Sequence, residues 1–498
     1  MSEETSPQPV PRRRLVFWAG PLAAAVGLVV GTMELLPDPL SRDAVVVAGV
    51  TAWMAIWWIS EVVPIAATSL LPLAVFPLLG VSSTKAVALA YMNPFIVLLM
   101  AGFMAALALE RWNLHKRLSL AVLSAVGASP SRLVLGMMLA CAFSSMWISN
   151  TATTLMMLPI GMALVARAEA REGVSTVAVT GFATALYLGI AYGASVGGLA
   201  TPIGTPPNLI FMGVYEESFP EADPITFASW VSMALPLVIV FLVAIWFYLT
   251  RIAHKVSDDL DMGSADILAE ERRGLGVMTG DQKTVAAIFV GMALLWVTRR
   301  VRLGDGELAG WAPALGLDGL VNDATVAVAG AVLLFAWPSR SLPGERLLDW
   351  PTAKKIPWEV VLLFGGGVSL AGVFKVSGLS AAVAQGLTGL AGLPTVALVA
   401  IIALSVTFLT EVTSNTATTT ILMPVLAAFS EATGISAELV MIPAVLSASC
   451  AFMLPVATAP NAIVFGTGRV TMATMARTGF ALNLLGAVLV TLWVLVRY

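Results

Sequence analysis

The hexapeptide Ser-Asn-Thr-Ala-Thr-Thr occurs twice in this chain, each time inside a long apolar stretch. It occupies residues 149–154 and 414–419, and a proline follows each copy, at Pro159 and Pro424. The two hexapeptides and the two prolines are both 265 positions apart (414 − 149 and 424 − 159). The chain therefore carries an internal duplication, and we expect its fold to contain two related halves.

The chain as a whole is too apolar for a soluble protein. Of the 498 residues, 58% are hydrophobic and 11% are charged, and the mean hydropathy is +0.90. A soluble fold of this composition would expose more apolar surface than water tolerates, so we expect an all-α, polytopic membrane protein. The net charge of −3 provides no basic surface for nucleic acid, so no nucleic-acid partner is expected.

The lengths of the apolar stretches predict about eleven transmembrane helices, since about 20 apolar residues cross the roughly 30 Å hydrocarbon core. The candidates are residues 15–36, 43–60, 62–81, 91–110, 177–213, 228–251, 283–299, 322–337, 358–375, 438–467 and 476–496. Two of them, 177–213 and 438–467, are too long for one plain helix and contain Gly, Thr and Pro near their centres. We predict that both of these helices are broken.

Two further apolar stretches, 130–166 and 395–430, contain the hexapeptides and are too long for one span. Basic residues precede the first stretch at Lys116 and follow it at Arg167. Because basic residues mark cytoplasmic ends, both ends of this stretch are predicted to be cytoplasmic. We therefore predict re-entrant hairpins with the Ser-Asn-Thr tripeptides at their tips. A single tilted helix of more than about 30 residues is the alternative.

The distribution of charge also predicts an orientation. A cytoplasmic N-terminus places the basic loops near Lys116, Lys255 and residues 340–355 in the cytoplasm and the acidic loop 216–223 outside. The C-terminus is then external. The basic run at residues 299–302 departs from this rule, since it is predicted to be external.

We predict four segments along the chain. Residues 1–36 form a tail and the first helix, 37–251 the first repeat, 252–282 a cytoplasmic linker and 283–498 the second repeat. An odd number of spans separates corresponding elements, so the repeats are expected to have inverted topology. This organisation is typical of secondary transporters, whose binding site lies near the bilayer midplane between the repeats.

The repeated tripeptides predict the chemistry of that site. Ser, Asn and Thr compete with helical hydrogen bonds, so each tripeptide is expected to interrupt a helix. N–H groups at the start of a half-helix attract an anion, whereas freed carbonyl and hydroxyl oxygens suit a hard cation. A second pair of breaks, at 197–208 and 457–461, shares the pattern Thr-x-Pro-Asn. Four unwound segments are therefore expected to meet at one site.

Basic residues are missing from these segments. No Lys or Arg lies between Arg132 and Arg167, or between Lys375 and Arg469. A dianion bound there would lack a fixed positive partner, which is costly in a low-dielectric cavity, and cations bound beside it would offset that cost. Sodium coupling follows, since an uncharged set of oxygens suits Na⁺ better than a transition metal. Glu411, beside the second tripeptide, is either a functional acid or a structural residue that caps a helix or contacts the hairpin scaffold.

These motifs resemble the divalent anion/sodium symporter family, which includes sodium-coupled dicarboxylate and citrate transporters and their bacterial relatives. The resemblance extends from residues 57–61 to 462–465 and is most specific at 146–154 and 454–465. It implies eleven spans, two hairpins, and a homodimer in which a transport domain moves against a scaffold like an elevator. It also implies location in a bacterial inner membrane.

The resemblance assigns candidate ligands by motif position. One sodium ion would use Ser145, Ser149, Asn150 and the backbone near Gly198. The other would use Thr410, Thr413, Asn415 and the backbone near Ala457. The substrate carboxylates would meet Asn150, Thr151, Ser414, Asn415, Thr416, Thr458 and Ala459. Many members of the family have Pro-Pro after the threonine, whereas this chain has Ala459-Pro460, a difference that bears on turn rigidity and substrate choice.

The leading hypothesis is a Na⁺-coupled symporter of C4-dicarboxylates such as succinate, malate and fumarate. A sodium-independent dicarboxylate exchanger is the alternative, as are citrate or sulfate as the main substrate. A fixed Lys or Arg near the motifs would favour the exchanger. An intramembrane enzyme would need a nucleophile and base or a metal cluster, which Glu411 alone does not supply, so no enzyme is expected. A channel would not need occluded hairpin tips.

Overall fold

Long apolar segments with polar helix caps form an all-α protein, as predicted. The computed structural model describes residues 10–32, 40–127, 129–170, 175–258, 264–302 and 308–498. Hydroxyl side chains begin many of its helices by accepting a hydrogen bond from an N–H of the first turn. The Ser41 Oγ, for example, accepts from the Ala44 N–H at 3.0 Å. Such caps satisfy donors that have no partner inside the helix.

Twelve α-helices precede residue 248 in the described part of the chain. They are α1 (Val10–Gly31), α2 (Arg42–Ser60), α3 (Ile65–Thr68), α4 (Leu71–Leu78), α5 (Thr84–Ala90), α6 (Pro94–Arg111), α7 (Leu114–Val126), α8 (Pro130–Ser145), α9 (Asn150–Glu169), α10 (Thr176–Gly197), α11 (Pro206–Ser218) and α12 (Phe227–Phe247). A 3₁₀ turn at Gly198–Ala200 follows α10, and a π-helical turn at Tyr248–Ala253 extends α12.

Twelve more helices follow in the described residues. They are α13 (Ser264–Gly274), α14 (Gly280–Arg299), α15 (Trp311–Ala314), α16 (Asp323–Ala336), α17 (Trp350–Ala353), α18 (Trp358–Ser377), α19 (Leu379–Ala391), α20 (Thr395–Leu409), α21 (Asn415–Thr433), α22 (Ala437–Ala448), α23 (Ala459–Phe465) and α24 (Met472–Arg497). A 3₁₀ turn at Pro455–Ala457 precedes α23. The two-residue strands β1 (Val301–Arg302) and β2 (Leu308–Ala309) pair antiparallel.

Eight of the described helices are long and apolar enough to cross a membrane by length and composition. Several predicted spans are shorter or divided in the structure. The stretch 62–81 is split between α3 and α4, and 322–337 contains only the 14 residues of α16. The stretch 438–467 is divided between α22 and α23. The number of spans therefore stays a prediction.

The order of elements is the same after each hexapeptide. In the first half, α8 and α9 flank the break, and α10, a 3₁₀ turn, α11 and α12 follow. In the second half, α20 and α21 flank the break, and α22, a 3₁₀ turn, α23 and α24 follow. The single long helix considered as an alternative is not formed at either position, because the helix ends and restarts around each tripeptide.

Two arginines of the basic run that departs from the orientation rule are paired with carboxylates. Arg299 Nε donates to Asp323 Oδ1 at 2.6 Å, and both side chains are buried. Asp323 Oδ2 also accepts from the Phe227 N–H at 2.8 Å, which ties α16 to the start of α12. Arg300 lies 3.5 Å from Asp318. These ion pairs give Arg299 and Arg300 a structural role, whichever side of the membrane they lie on.

Candidate functional site

The first hexapeptide forms a capped break between α8 and α9. Ser149 is the N-cap of α9, and its Oγ accepts from the Ala152 N–H at 3.1 Å. The Ser145 hydroxyl donates to Asn150 Oδ1, and the Thr154 hydroxyl donates to the Asn150 carbonyl at 2.8 Å. The break therefore holds the Asn150 side chain against the end of α8.

The second hexapeptide has the same geometry between α20 and α21. Ser414 begins α21, and Thr410 Oγ1 donates to Asn415 Oδ1 at 2.5 Å. Thr419 Oγ1 donates to the Asn415 carbonyl at 2.8 Å. These donors and acceptors lie 265 positions after Ser145, Asn150 and Thr154 (410 − 145, 415 − 150 and 419 − 154). The duplication thus extends from the sequence to individual hydrogen bonds.

A buried asparagine stabilises each broken helix beside these tips. Asn208 Nδ2 donates to the carbonyls of Gly198 at 3.1 Å and Thr201 at 2.8 Å. Asn461 Nδ2 donates in the same way to the carbonyls of Ala451 at 3.1 Å and Leu454 at 3.0 Å. Each amide therefore satisfies carbonyls that the break removes from the helix. The asparagine of the Thr-x-Pro-Asn motif thus holds the unwound segment in place.

One cavity of about 820 Å³ joins the four unwound segments. All seven residues that sequence analysis assigned to substrate binding line it: Asn150, Thr151, Ser414, Asn415, Thr416, Thr458 and Ala459. The helices α9, α21 and α11 begin at this cavity. Their N-terminal N–H groups and dipoles make the cavity attractive to an anion.

The candidate sodium ligands lie at and behind the same cavity wall. Five of them line the cavity, namely Ser149, Asn150, Thr413, Asn415 and Ala457. Ser145 and Thr410 are fully buried behind the asparagines, to which they donate. A Cβ placed on Gly198 would lie 2.8 Å from Asn150 Oδ1, so this glycine permits close approach of the asparagine to the backbone. The structure therefore brings each predicted ligand set together.

Comparison with known proteins identifies the family. The family described as the sodium:sulfate symporter transmembrane region matches residues 17–498, which is almost the whole chain. This chain belongs to the sodium:sulfate symporter family. The predicted family resemblance is confirmed, and so is the prediction of a multi-pass membrane transporter.

Named relatives of this symporter chain are bacterial. It is 39% identical over 491 residues to the sodium-dependent dicarboxylate transporter SdcS of Staphylococcus aureus strain RF122, covering 97% of this chain and 92% of the relative. It is 41% identical over 477 residues to SdcS of Staphylococcus saprophyticus, covering 94% and 90%. These relatives are transporters rather than enzymes. The fold resembles the YdaH transporter of Alcanivorax borkumensis, with a TM-score of 0.55 at 17% identity over 98% and 99% of the chains.

Four charged side chains that line the cavity were not predicted as site residues from the sequence. Glu61, Glu110, Lys355 and Glu359, here called the charged lining, face the cavity from the ends of α2 and α6 and from the start of α18. The unwound segments contain no Lys or Arg, as the sequence showed. Lys355 nevertheless lines the cavity, because the fold places the loop before α18 beside it. All four residues fall at predicted cytoplasmic ends, and this shared location is the signal that was available in the sequence.

Glu411 caps an unwound segment of the symporter and does not line the cavity. Its carboxylate accepts from the N–H groups of Phe452 at 2.7 Å, Met453 at 2.8 Å and Leu454 at 3.0 Å. The Asn483 amide donates to the same carboxylate at 2.8 Å. Glu411 is only 3% exposed, and these four donors stabilise its buried charge. Of the two roles left open by the sequence, the geometry favours the cap.

Proposed function

We propose that this chain couples Na⁺ influx to the uptake of C4-dicarboxylates such as succinate, malate and fumarate. The observation that carries the proposal is the meeting of both hexapeptide breaks at one cavity with matching hydrogen bonds. The relatives named as sodium-dependent dicarboxylate transporters support the sodium and dicarboxylate parts of this proposal. The dicarboxylate and the sodium ions are proposed to bind to different groups of the cavity.

The substrate is held by helix starts and hydroxyl groups. The first N–H groups of α9 and α21 lie at the cavity. Thr151, Thr416 and Thr458, which carry hydroxyl groups, also line it. These groups are neutral donors, so they bind carboxylates without the large desolvation cost that burying a lysine or arginine would add. Two such helix starts on one cavity match a substrate with a carboxylate at each end.

Two sodium ions complete the electrostatics. The first is assigned to Ser145, Ser149, Asn150 and the Gly198 backbone, and the second to the equivalent set around Asn415. In each set a hydroxyl already donates to the asparagine Oδ1, so oxygen atoms are close enough to share one ion. Each ion neutralises one carboxylate of the dianion. Binding of substrate and of Na⁺ therefore favour each other, which is the thermodynamic basis of coupling.

We also propose an elevator mechanism with inverted repeats and a homodimer. The hexapeptide segments and broken helices supply one part of the cavity wall, whereas the charged lining comes from helices without these motifs. A wall built from two sets of elements can open when one set slides along the other. The charged lining lies at predicted cytoplasmic ends, so the described state is assigned as open to the cytoplasm. The N-terminus is then cytoplasmic, the C-terminus external, and the membrane the bacterial inner membrane.

The sodium-independent exchanger is the second candidate, and Lys355 is the observation that favours it. A fixed ammonium group in the cavity can neutralise part of a dianion without Na⁺. Against this, three carboxylates accompany the one lysine in the charged lining, so the lining offers a dianion no net positive charge. Lys355 is also solvent-exposed, where its attraction is weak.

Radiolabelled succinate uptake into proteoliposomes separates the two candidates. An inward Na⁺ gradient is compared with choline, and vesicles are empty or loaded with dicarboxylate. Symport requires uptake that depends on Na⁺ and proceeds into empty vesicles. Uptake that ignores Na⁺ and requires internal dicarboxylate would establish exchange. Unlabelled citrate and sulfate, added as competitors, rank the alternative substrates.

A further inference from the structure

A second cavity lies between α14 and α16 and shares no lining residue with the transport cavity. Its volume is about 630 Å³. The lining residues of α14 recur every three or four positions from Gly280 to Leu295, and those of α16 do so from Val326 to Leu333. Residues at this spacing share one helix face. The cavity is therefore a groove that runs along both helices.

The groove is apolar along its length and basic at one end. Lys283, on the first turn of α14, and Arg340, in the loop after α16, are both part of its lining. Neither side chain forms an ion pair within the described residues. Trp337 lies beside them and is 40% exposed. Tryptophan next to basic residues is typical of the membrane–water interface.

A buried carboxylate fixes Arg340 at that end. Asp281 accepts from the N–H of Arg340 at 2.7 Å, the N–H of Ser341 at 2.8 Å and the hydroxyl of Ser339 at 2.9 Å. These bonds hold the loop against the start of α14. An added Cβ at Gly280 would lie 3.3 Å from Arg340 Cδ, so the arginine stem packs directly on the glycine. Contacts with α14 therefore hold Arg340 in place at this end of the groove.

We propose that this groove binds an anionic glycerophospholipid. The phosphate head lies between Lys283 and Arg340, and an acyl chain follows the apolar groove toward Leu295. The twelve helical steps from Lys283 to Leu295 (295 − 283) rise roughly 18 Å along the helix, about the depth of one leaflet of a 30 Å hydrocarbon core. Both basic residues lie at predicted cytoplasmic ends, where anionic lipids concentrate.

A second copy of this chain is the competing occupant of the groove. In a dimer with its axis along the membrane normal, equivalent residues of both copies lie at the same depth. If the two grooves face each other across the axis, Lys283 and Arg340 lie opposite the same two cations of the other copy. That arrangement is repulsive, whereas a phosphate group attracts both residues. The charge pattern therefore favours the lipid.

Native mass spectrometry of the purified full-length protein tests the proposal, with phosphatidylglycerol and phosphatidylcholine as probes. Each basic residue near a headgroup contributes about 1 kcal/mol, so wild type should prefer phosphatidylglycerol by roughly tenfold to thirtyfold. The double variant K283Q/R340Q should lose that preference. The matched control R272Q/R273Q removes two exposed basic residues from α13 and should keep it.

Gly291→Leu tests the apolar part of the groove. A Cβ at Gly291 meets nothing within 4 Å, so this position has room for a side chain, and leucine extends into the path of the acyl chain. Retention of phosphatidylglycerol should fall at least tenfold while succinate uptake shows that the variant folds. An unchanged preference in K283Q/R340Q, or unchanged retention in Gly291→Leu, would overturn the proposal. Disulfide cross-linking of Gly291→Cys between two copies would also overturn it, in favour of the second copy.

Discussion

Replacing Glu411 with glutamine removes a buried negative charge while preserving the shape of the side chain. One carboxylate oxygen accepts from Phe452, Met453 and Asn483, and the other accepts from the Leu454 N–H at 3.0 Å. A glutamine oxygen at the first position keeps three acceptor contacts. Its NH₂ group then faces the Leu454 N–H, so two donors oppose each other.

The cost follows from these four contacts. Bonds to a charged acceptor contribute roughly 1.5–3 kcal/mol and neutral ones roughly 0.5–1.5 kcal/mol, and an unsatisfied buried donor costs roughly 1–3 kcal/mol. Relief from burying a charge offsets part of the loss. We expect Glu411→Gln to destabilise the unwound segment by about 2–4 kcal/mol. Ala457, assigned to the second sodium ion, lies three positions after Leu454, so Na⁺ affinity is expected to fall.

Succinate uptake as a function of Na⁺ concentration measures this effect. The half-saturating Na⁺ concentration should rise at least tenfold, because about 1.4 kcal/mol corresponds to a factor of ten. High Na⁺ should restore much of the uptake, which distinguishes a loosened ion site from a misfolded protein. Glu438→Gln is the matched control, since Glu438 is a partly buried glutamate that accepts from the Tyr215 hydroxyl at 2.6 Å. An unchanged Na⁺ response in Glu411→Gln would refute the reasoning.

Four further predictions follow from the site and the fold. Asn150→Ala and Asn415→Ala should each abolish succinate uptake while gel filtration shows an intact protein; near-normal uptake in both would remove the site assignment. Lys355→Gln should leave uptake Na⁺-dependent and raise KM by about fivefold, the effect of about 1 kcal/mol from an exposed contact; complete loss of uptake would favour the exchanger. Ala459→Pro should retain uptake, because proline fits the first helical position after a cap, and competition assays should show altered substrate ranking; an inactive variant would contradict this. Asp323→Asn should lower the unfolding temperature, since breaking a buried ion pair costs roughly 3–5 kcal/mol; an unchanged temperature would show that the pair contributes little.

The breaks in the helices were predictable because local chemistry determines them. Ser149 and Ser414 are followed by side chains that compete with the helix, and each caps the helix that restarts beside it. The duplication made the prediction stronger, since unrelated sequence coincidences would not place both the hexapeptides and the following prolines 265 positions apart. The grouping of candidate residues at one cavity was predictable from the same pattern.

Contacts between distant segments were not predictable. Lys355 enters the cavity lining from a loop that no motif marks, and its position depends on how α18 packs. Glu411 is one acid beside a motif in the sequence, and only the fold shows that Phe452 and Asn483 donate to it. Hydropathy also could not divide the stretch 62–81, because it is apolar on both sides of the break at Ser69 and Leu70.

Equilibrium binding of radiolabelled succinate to the purified protein, in Na⁺ or in choline, tests whether sodium is required for substrate binding. Neutral donors are expected to bind the dianion only when cations occupy the oxygen sets around Asn150 and Asn415. We therefore expect saturable binding in Na⁺ and at least a hundredfold weaker binding in choline, about 2.7 kcal/mol for two neutralising ions. Binding of equal affinity in both salts would contradict sodium-dependent binding, because the cavity would then hold the dianion without sodium.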